Sequence, residues 1–273
     1  MKNILITGAS GGVGGMLAKG LAQKGHHIIC LGRKEDRLLR LVEVINSLGG
    51  SASYGVADMM DEKAVQQAGE KVMQDVGSIE VWINNVGVNN HNAIGPSWEL
   101  EAKNWWREVS LNLYTAYLGS MAAIRLMKAN NYGYIINLGG GGVQKPKPFG
   151  SAYGAAKTAL VKFTETLNLE LEAEGLGIKV FAFNPGFIRN ARTEILVESE
   201  VARTYMPELE QILKYGQMSE PQDSIDLIEA LLSGKADELG GRYFFADDKN
   251  IQEAISNKET LIQEDRNLLR VRL

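Results

Sequence analysis

The chain alternates short runs rich in β-branched and aromatic residues with longer stretches whose apolar positions recur at helical spacing. Seven short runs read as strands: Lys2–Thr7, His27–Leu31, Ala52–Ala57, Ile79–Asn84, Tyr134–Leu138, Ile178–Phe183 and Arg242–Phe245. Between them the pattern predicts helices over Met16–Lys24, Asp36–Ser47, Glu62–Val76, about Lys103–Asn130, Ser151–Ala173 and Asp223–Ser233. In the second of these, Leu38, Leu41, Val42 and Ile45 share one face. Strands alternating with helices of this length predict an α/β fold, a doubly wound parallel sheet covered by helices on both faces. No linker or repeat interrupts the alternation, so residues 1–248 read as one domain. Within it, residues 187–220 are less regular and read as a substrate lid. Residues 249–273 form a polar tail, either a surface helix or a mobile end.

Composition narrows the possible functions. A net charge of -4 excludes a nucleic-acid or anionic-membrane binder for the chain as a whole. Nowhere do the ~18 consecutive apolar residues of a membrane span occur. The single cysteine, Cys30, precludes an internal disulfide and fits a reducing, cytoplasmic setting. His26, His27 and His91 offer no metal-ligand spacing, so no metal is expected. Glycine is the outlier, with 30 among 273 residues against an ordinary share of ~7%.

Several of those glycines fall in Thr7-Gly8-Ala9-Ser10-Gly11-Gly12-Val13-Gly14, between the first strand and the first helix. A βαβ unit places a dinucleotide pyrophosphate there, against backbone N–H groups that missing β-carbons leave accessible. Gly8, Ser10, Gly12, Val13 and Gly14 are therefore candidate cofactor contacts. The second strand ends in Leu31-Gly32-Arg33-Lys34, with no carboxylate to hold a ribose 2′-hydroxyl. Arg33 and Lys34 suit a 2′-phosphate, which favours NADP(H) over NAD(H). They can also be read as ordinary decoration of a helix start, with Glu35 and Asp36 diluting the local charge.

With these pieces the chain resembles a classical short-chain dehydrogenase/reductase over nearly its whole length. The matching residues are Thr7-Gly8-x-x-x-Gly12-x-Gly14, Asp58 after the third strand, Asn84-Asn85-Val86-Gly87 after the fourth, Asn112, Tyr153-Gly154-Ala155-Ala156-Lys157, and Pro185-Gly186 after the sixth. The resemblance implies a single Rossmann-type domain and a homodimer or homotetramer built on the two long helices. It implies that Asp58 and Met59 lie against the adenine, and that Asn85 and Gly87 support the cofactor ribose and the central strand. Pro185, Gly186 and Ile188 would sit near the nicotinamide, with Asn190 where the family often has threonine. Tyr153 would be the acid/base, Lys157 its electrostatic partner and ribose contact, and Asn112 the holder of a relay water.

Tyr153 and Lys157 are four apart on one helix and share a face. A neighbouring ammonium lowers the pKa of a phenol, ordinarily ~10, and so equips Tyr153 to exchange a proton with a carbonyl oxygen. These features point to an NADPH-dependent carbonyl reductase of the ketone/secondary-alcohol class, acting on a small molecule. The family's catalytic serine is missing: its position is Gly140, within Gly139-Gly140-Gly141-Gly142. Either a backbone N–H of that run or a substrate group or water replaces the hydroxyl, or the protein binds NADPH with little redox activity, as a sensor or partner subunit. Ser151 reads as a helix cap. Trp98, Trp105 and Trp106 read as core or interface residues, and Tyr205, Met206 and Leu209 as pocket lining or lid packing.

Overall fold

The computed structural model describes residues 1–216, 218–247 and 251–271. Seven strands, β1 (Asn3–Thr7), β2 (His27–Gly32), β3 (Ser51–Val56), β4 (Val81–Asn84), β5 (Gly133–Leu138), β6 (Ile178–Asn184) and β7 (Tyr243–Phe245), form one parallel sheet in the order β3-β2-β1-β4-β5-β6-β7. Alternation along β1 sets the two layers. Ile4 and Ile6 pack on one face with Leu17, Leu21 and Leu231, while Leu5 faces Val65, Trp82 and Leu167 on the other. The first layer carries α1 (Gly12–Gln23) and α2 (Glu35–Ser47), and the second carries α3 (Glu62–Val76). The order reverses between β1 and β4, the switch point outside whose strand ends α/β proteins bind ligands.

The stretch read as one helix over Lys103–Asn130 has a break. It consists of α4 (Ala102–Val109), a wide π-helical turn at Ser110–Tyr114, and α5 (Thr115–Met127). A π turn adds a residue to the helical repeat and re-aims the side chains on it; Asn112 is its buried middle residue. The next helix, α6, spans Ser151–Ala173 as predicted. Residues 187–220, read as irregular, instead hold three short helices, α7 (Ala191–Glu198), α8 (Glu200–Tyr205) and α9 (Glu208–Tyr215). Their starts are capped: the Asn190 and Ser199 side chains accept from backbone N–H groups of α7 and α8. Ile94, Val197, Met206 and Leu209 bury one another beneath this lid.

Helix α10 (Pro221–Leu231) returns to the first layer. The proposed boundary at 248/249 lies outside the described residues. Beyond it, α11 (Ile251–Ser256) and α12 (Lys258–Gln263) dock on the body through buried Leu261. The tail then pairs with the sheet edge, where Tyr243 N–H donates to Asn267 O at 2.9 Å, and Arg270 meets Glu165 at 2.8 Å.

A buried amide ladder joins the sheet to α5 and α6. Asn84 and Asn137 are register partners on β4 and β5. Asn84 Nδ2 donates to Asn137 Oδ1 (2.9 Å) and Ser120 Oγ (3.0 Å), and Asn137 Nδ2 donates to Thr164 Oγ1 (2.9 Å). Trp82 Nε1 closes the chain on Asn84 Oδ1 at 2.9 Å. All four polar residues are at most 2% exposed, so each broken link leaves a group that water cannot reach. Asn137→Leu should therefore cost about 2–6 kcal/mol, from two groups that each lose a buried partner at roughly 1–3 kcal/mol each. Urea unfolding measures it, and a loss below about 0.5 kcal/mol would show that the ladder does not hold the helices.

Candidate active site

A cavity of about 350 Å³ opens at the carboxyl ends of β1, β4, β5 and β6. Its walls include Gly8, Gly12, Val13, Gly14, Asn85, Gly87, Tyr153, Lys157, Pro185, Gly186 and Ile188, all expected from the sequence. Asn112 stands directly behind Gly87. The remaining expected residues, Ser10, Arg33, Lys34, Asp58 and Met59, lie outside these walls, about the ends of β2 and β3.

At the glycine loop, Gly8 has φ +65°, a left-handed conformation suited to glycine. A Cβ on Gly14 would clash with Asn85 and with Gly8 O. Asn85 Nδ2 braces the loop by donating to Thr7 O at 2.8 Å. Helix α1 begins inside the loop, at Gly12, four residues before the predicted start at Met16. Its cap residue is Gly11, which supplies no side-chain acceptor, so the first-turn N–H groups keep no side-chain cap. The lid supplies two residues the sequence reading did not place on the loop. A Cβ on Gly12 would strike Asn190, and one on Gly11 would sit 3.1 Å from the Arg192 guanidinium.

At the end of β2, Arg33 and Asp58 form an ion pair at 3.5 Å. Both are about half exposed or more, so the pair is weak and Arg33 can exchange partners. Ser10 Oγ lies 3.6 Å from where a Gly32 side chain would begin. The backbone of Lys34 caps α2 without a side-chain acceptor. The Met59 side chain is buried in the core, leaving its backbone for any ligand.

At the other end of the cavity the Tyr153 hydroxyl makes no hydrogen bond among the described residues. Lys157 Nζ is 5.7 Å from the centre of its ring and donates to Leu138 O at 2.7 Å. Asn112 Nδ2 donates to Val88 O (2.8 Å) and Glu108 O (2.9 Å), and its Oδ1 accepts from Val88 N–H (3.1 Å). Gly87 makes room for this packing, since a Cβ there would sit 2.8 Å from Asn112 Oδ1 and 3.1 Å from Lys157 Nζ.

The electrostatics differ from the sequence expectation. Burial, reinforced by the charges of Tyr243 and Glu108, pushes the Tyr153 phenol above its ordinary range. Burial also lowers Lys157 to about 8, against the pull of Glu108. In the protein alone, desolvation therefore outweighs the ammonium, and the tyrosine holds its proton.

The glycine run is also more committed than expected. Gly139 N–H donates to Phe183 O at 2.7 Å, and Gly140 N–H donates to the Tyr243 hydroxyl at 3.2 Å. Tyr243 in turn donates to Gly140 O at 3.0 Å. Neither N–H is available to a substrate oxygen; within the run, that leaves those of Gly141 and Gly142, which have no partner among the described residues. A Cβ at Gly140 would overlap the Tyr153 hydroxyl. The missing serine is thus matched by a tyrosine that fills its place.

Three other expectations are narrowed. Ser151 does not cap α6; Gly150 holds that position, and Ser151 Oγ instead accepts from Trp105 Nε1 at 3.0 Å. Trp98 and Trp106 are largely exposed and belong to no core cluster, which removes the core reading and leaves the interface one. Leu209 lines the cavity, whereas Met206 packs within the lid cluster.

Glu108 was missed altogether. It is one helical turn before Asn112, on the same side, and that i, i+4 spacing was its available signal. Only 2% exposed, it accepts from Asn90 N–H at 3.1 Å, and Oε2 has no partner among the described residues. Burial raises its carboxyl from 4.5 to about 7, despite Lys157 and its hydrogen bonds. The folded chain then keeps a proton that the unfolded chain has already released. Stability should fall as pH rises from about 4.5 to about 7 and then level off. The loss is on the order of 3 kcal/mol from this group alone. Glu108→Gln should flatten that slope, read from thermal midpoints across pH; matching slopes in variant and wild type would refute it.

The family model for short chain dehydrogenase matches residues 2–200. A short chain dehydrogenase of Pseudocercospora fijiensis is 29% identical over 69% of this chain, a match spanning 60% of that protein's length. A 3-oxoacyl-(acyl-carrier-protein) reductase of Haemophilus influenzae is 30% identical, covering 74% of this chain and 80% of its own. Among solved structures, an NAD+-bound xylitol dehydrogenase superposes with a TM-score of 0.79 at 25% identity, covering 89% of this chain and 96% of that one.

Proposed function

The chain belongs to the short-chain dehydrogenase family, and from that premise we propose that it is an NADPH-dependent reductase interconverting a ketone and a secondary alcohol. The observation that carries this reading is the Tyr153 hydroxyl, unpartnered among the described residues and lining a cavity that ends on buried Lys157. A bound nicotinamide would exchange hydride with the carbonyl carbon; the chain supplies the proton and the geometry. Tyr153 delivers a proton to the carbonyl oxygen, and its raised pKa favours the protonated donor needed for reduction. Lys157, charged below about pH 8, steadies the phenolate left behind. Asn112 orients the Val88 backbone beside them, and a water near it would return the proton. That the Haemophilus relative is by name a reductase of an oxo group agrees with this class.

The residues present fit a dinucleotide. Gly8, Gly12 and Gly14, with the uncapped start of α1, suit the pyrophosphate, and Arg192 adds a cation from the lid. Ser10, whose Oγ lies near Gly32, with Arg33 and Lys34 would meet a 2′-phosphate, and no carboxylate stands at Gly32 to prefer NAD(H). Asp58 and the Met59 backbone would meet the adenine. Asn85 and Gly87 would meet the ribose, and Pro185, Gly186 and Ile188 the nicotinamide. A second reading, an NADPH-binding protein of weak or no turnover, draws on Gly140, since losing one oxyanion donor typically costs ~10²–10³ in rate. With purified protein and an accepted ketone, NADPH should be oxidised in preference to NADH. Tyr153→Phe should remove turnover while NADPH still binds. Binding without turnover across a broad carbonyl panel would favour the second reading, and unchanged turnover in Tyr153→Phe would exclude the Tyr153 mechanism.

The same proposal includes a homo-oligomer joined through α4–α6. Trp106, Tyr114, Tyr117 and Leu169 are 42–64% exposed there, a broad apolar face for a surface. Sedimentation at micromolar concentration should give a dimer or tetramer; a monomer would contradict the pairing.

A further inference from the structure

Lys147 stands apart from the residues used above. It lies in the loop between β5 and α6 and lines the cavity together with Tyr153. Its ammonium is 5.6 Å from the centre of the Tyr153 ring, like that of Lys157, but it comes from a separate loop. Three glycines shape a slot for its stem. A Cβ on Gly150 would sit 2.8 Å from Lys147 Cε, and a Cβ on Gly142 or Gly154 would lie 3.3 Å or 3.5 Å from Lys147 Cβ. Gly142 takes φ +93°, and Phe149, two residues after the lysine, is held at φ +59°, which a bulky residue seldom adopts. The loop is thus built around the path of one side chain.

Beyond the face of the Tyr153 ring, that side chain meets no polar partner among the described residues. Among the described residues its Nζ has no hydrogen bond and no carboxylate within ion-pair distance. Burial lowers its pKa, and only Glu208 acts against that, without closing into an ion pair. A partly buried cation left unpaired beside a reacting centre is a recognition element awaiting an anion. Leu138, Phe187, Leu196 and Leu209 give the remaining wall an apolar character.

We propose that Lys147 anchors an anionic group of the substrate, so that the protein acts on oxo acids or oxo phosphates rather than on neutral ketones. The assignment rests on the reductase reading for the carbonyl, but the anion contact itself is a matter of binding. The group would sit within a few bonds of the carbonyl, because the ammonium and the tyrosine hydroxyl bound the same end of the cavity.

Matched probes test this. Levulinate is compared with methyl levulinate, and dihydroxyacetone phosphate with dihydroxyacetone, by calorimetric titration into the full chain saturated with NADP+, which cannot reduce them, and then by turnover with NADPH. An anionic member should bind roughly tenfold or more tightly than its neutral partner, and the pair that shows the gap tells carboxylate from phosphate. Lys147→Met, which keeps the stem, should bring the ratio to about one, chiefly through KM; Lys147→Arg should restore it. Equal binding of anionic and neutral probes by the wild type would overturn the proposal. So would a Lys147→Met variant that loses affinity for both alike. Binding selectivity without turnover would leave the anchor standing and fail the reductase reading instead.

Discussion

The site depends on main chain and side chain meeting where a single β-carbon would separate them. Gly14 lets Asn85 reach the first loop, and Gly87 lets Asn112 and Lys157 converge. Gly139 and Gly140 receive Tyr243 and Tyr153 on the chain after β5, and three further glycines hold the stem of Lys147. Each contact is short because one partner has no side chain, and together they set the spacing of the proton-handling groups. The surplus of glycine in this chain is largely a property of its cavity.

Much of this was legible in the sequence because it depends on local rules. Most of the strands show as apolar runs, the half-exposed Ser51–Val56 being the exception, and Ser151–Ala173 follows helical spacing from end to end. The spacing of Tyr153 and Lys157 follows from the geometry of one helix. What escaped was decided by contacts distant in sequence. The wide turn at Asn112 keeps the apolar repeat of a plain helix, so no pattern betrays it. The lid helices are too short for periodicity, although Asn190-x-x-Thr193 and Ser199 were readable as starts. Lys147 resembles any loop lysine until the fold brings Gly142, Gly150 and Gly154 around it.

Burial governs the chemistry more than pairing does. Tyr153, Lys157 and Glu108 sit close enough to affect one another, yet desolvation moves each toward its neutral form. Glu108 at about 7 and Lys157 at about 8 both titrate near neutral pH. A charge arriving in the cavity, whether a cationic nicotinamide or an anion at Lys147, falls on groups already poised to change protonation.

Tyr243 gives the site a dependence on chain order. It grips both the N–H and the C=O of Gly140, yet it belongs to the last strand and is itself held by Asn267. During synthesis the chain emerges from its amino end, and the glycine loop, β4 and α6 are all made before that strand. A chain clipped before that strand would lose both hydrogen bonds to Gly140, so the backbone behind the Tyr153 hydroxyl is fixed by the part of the chain made last.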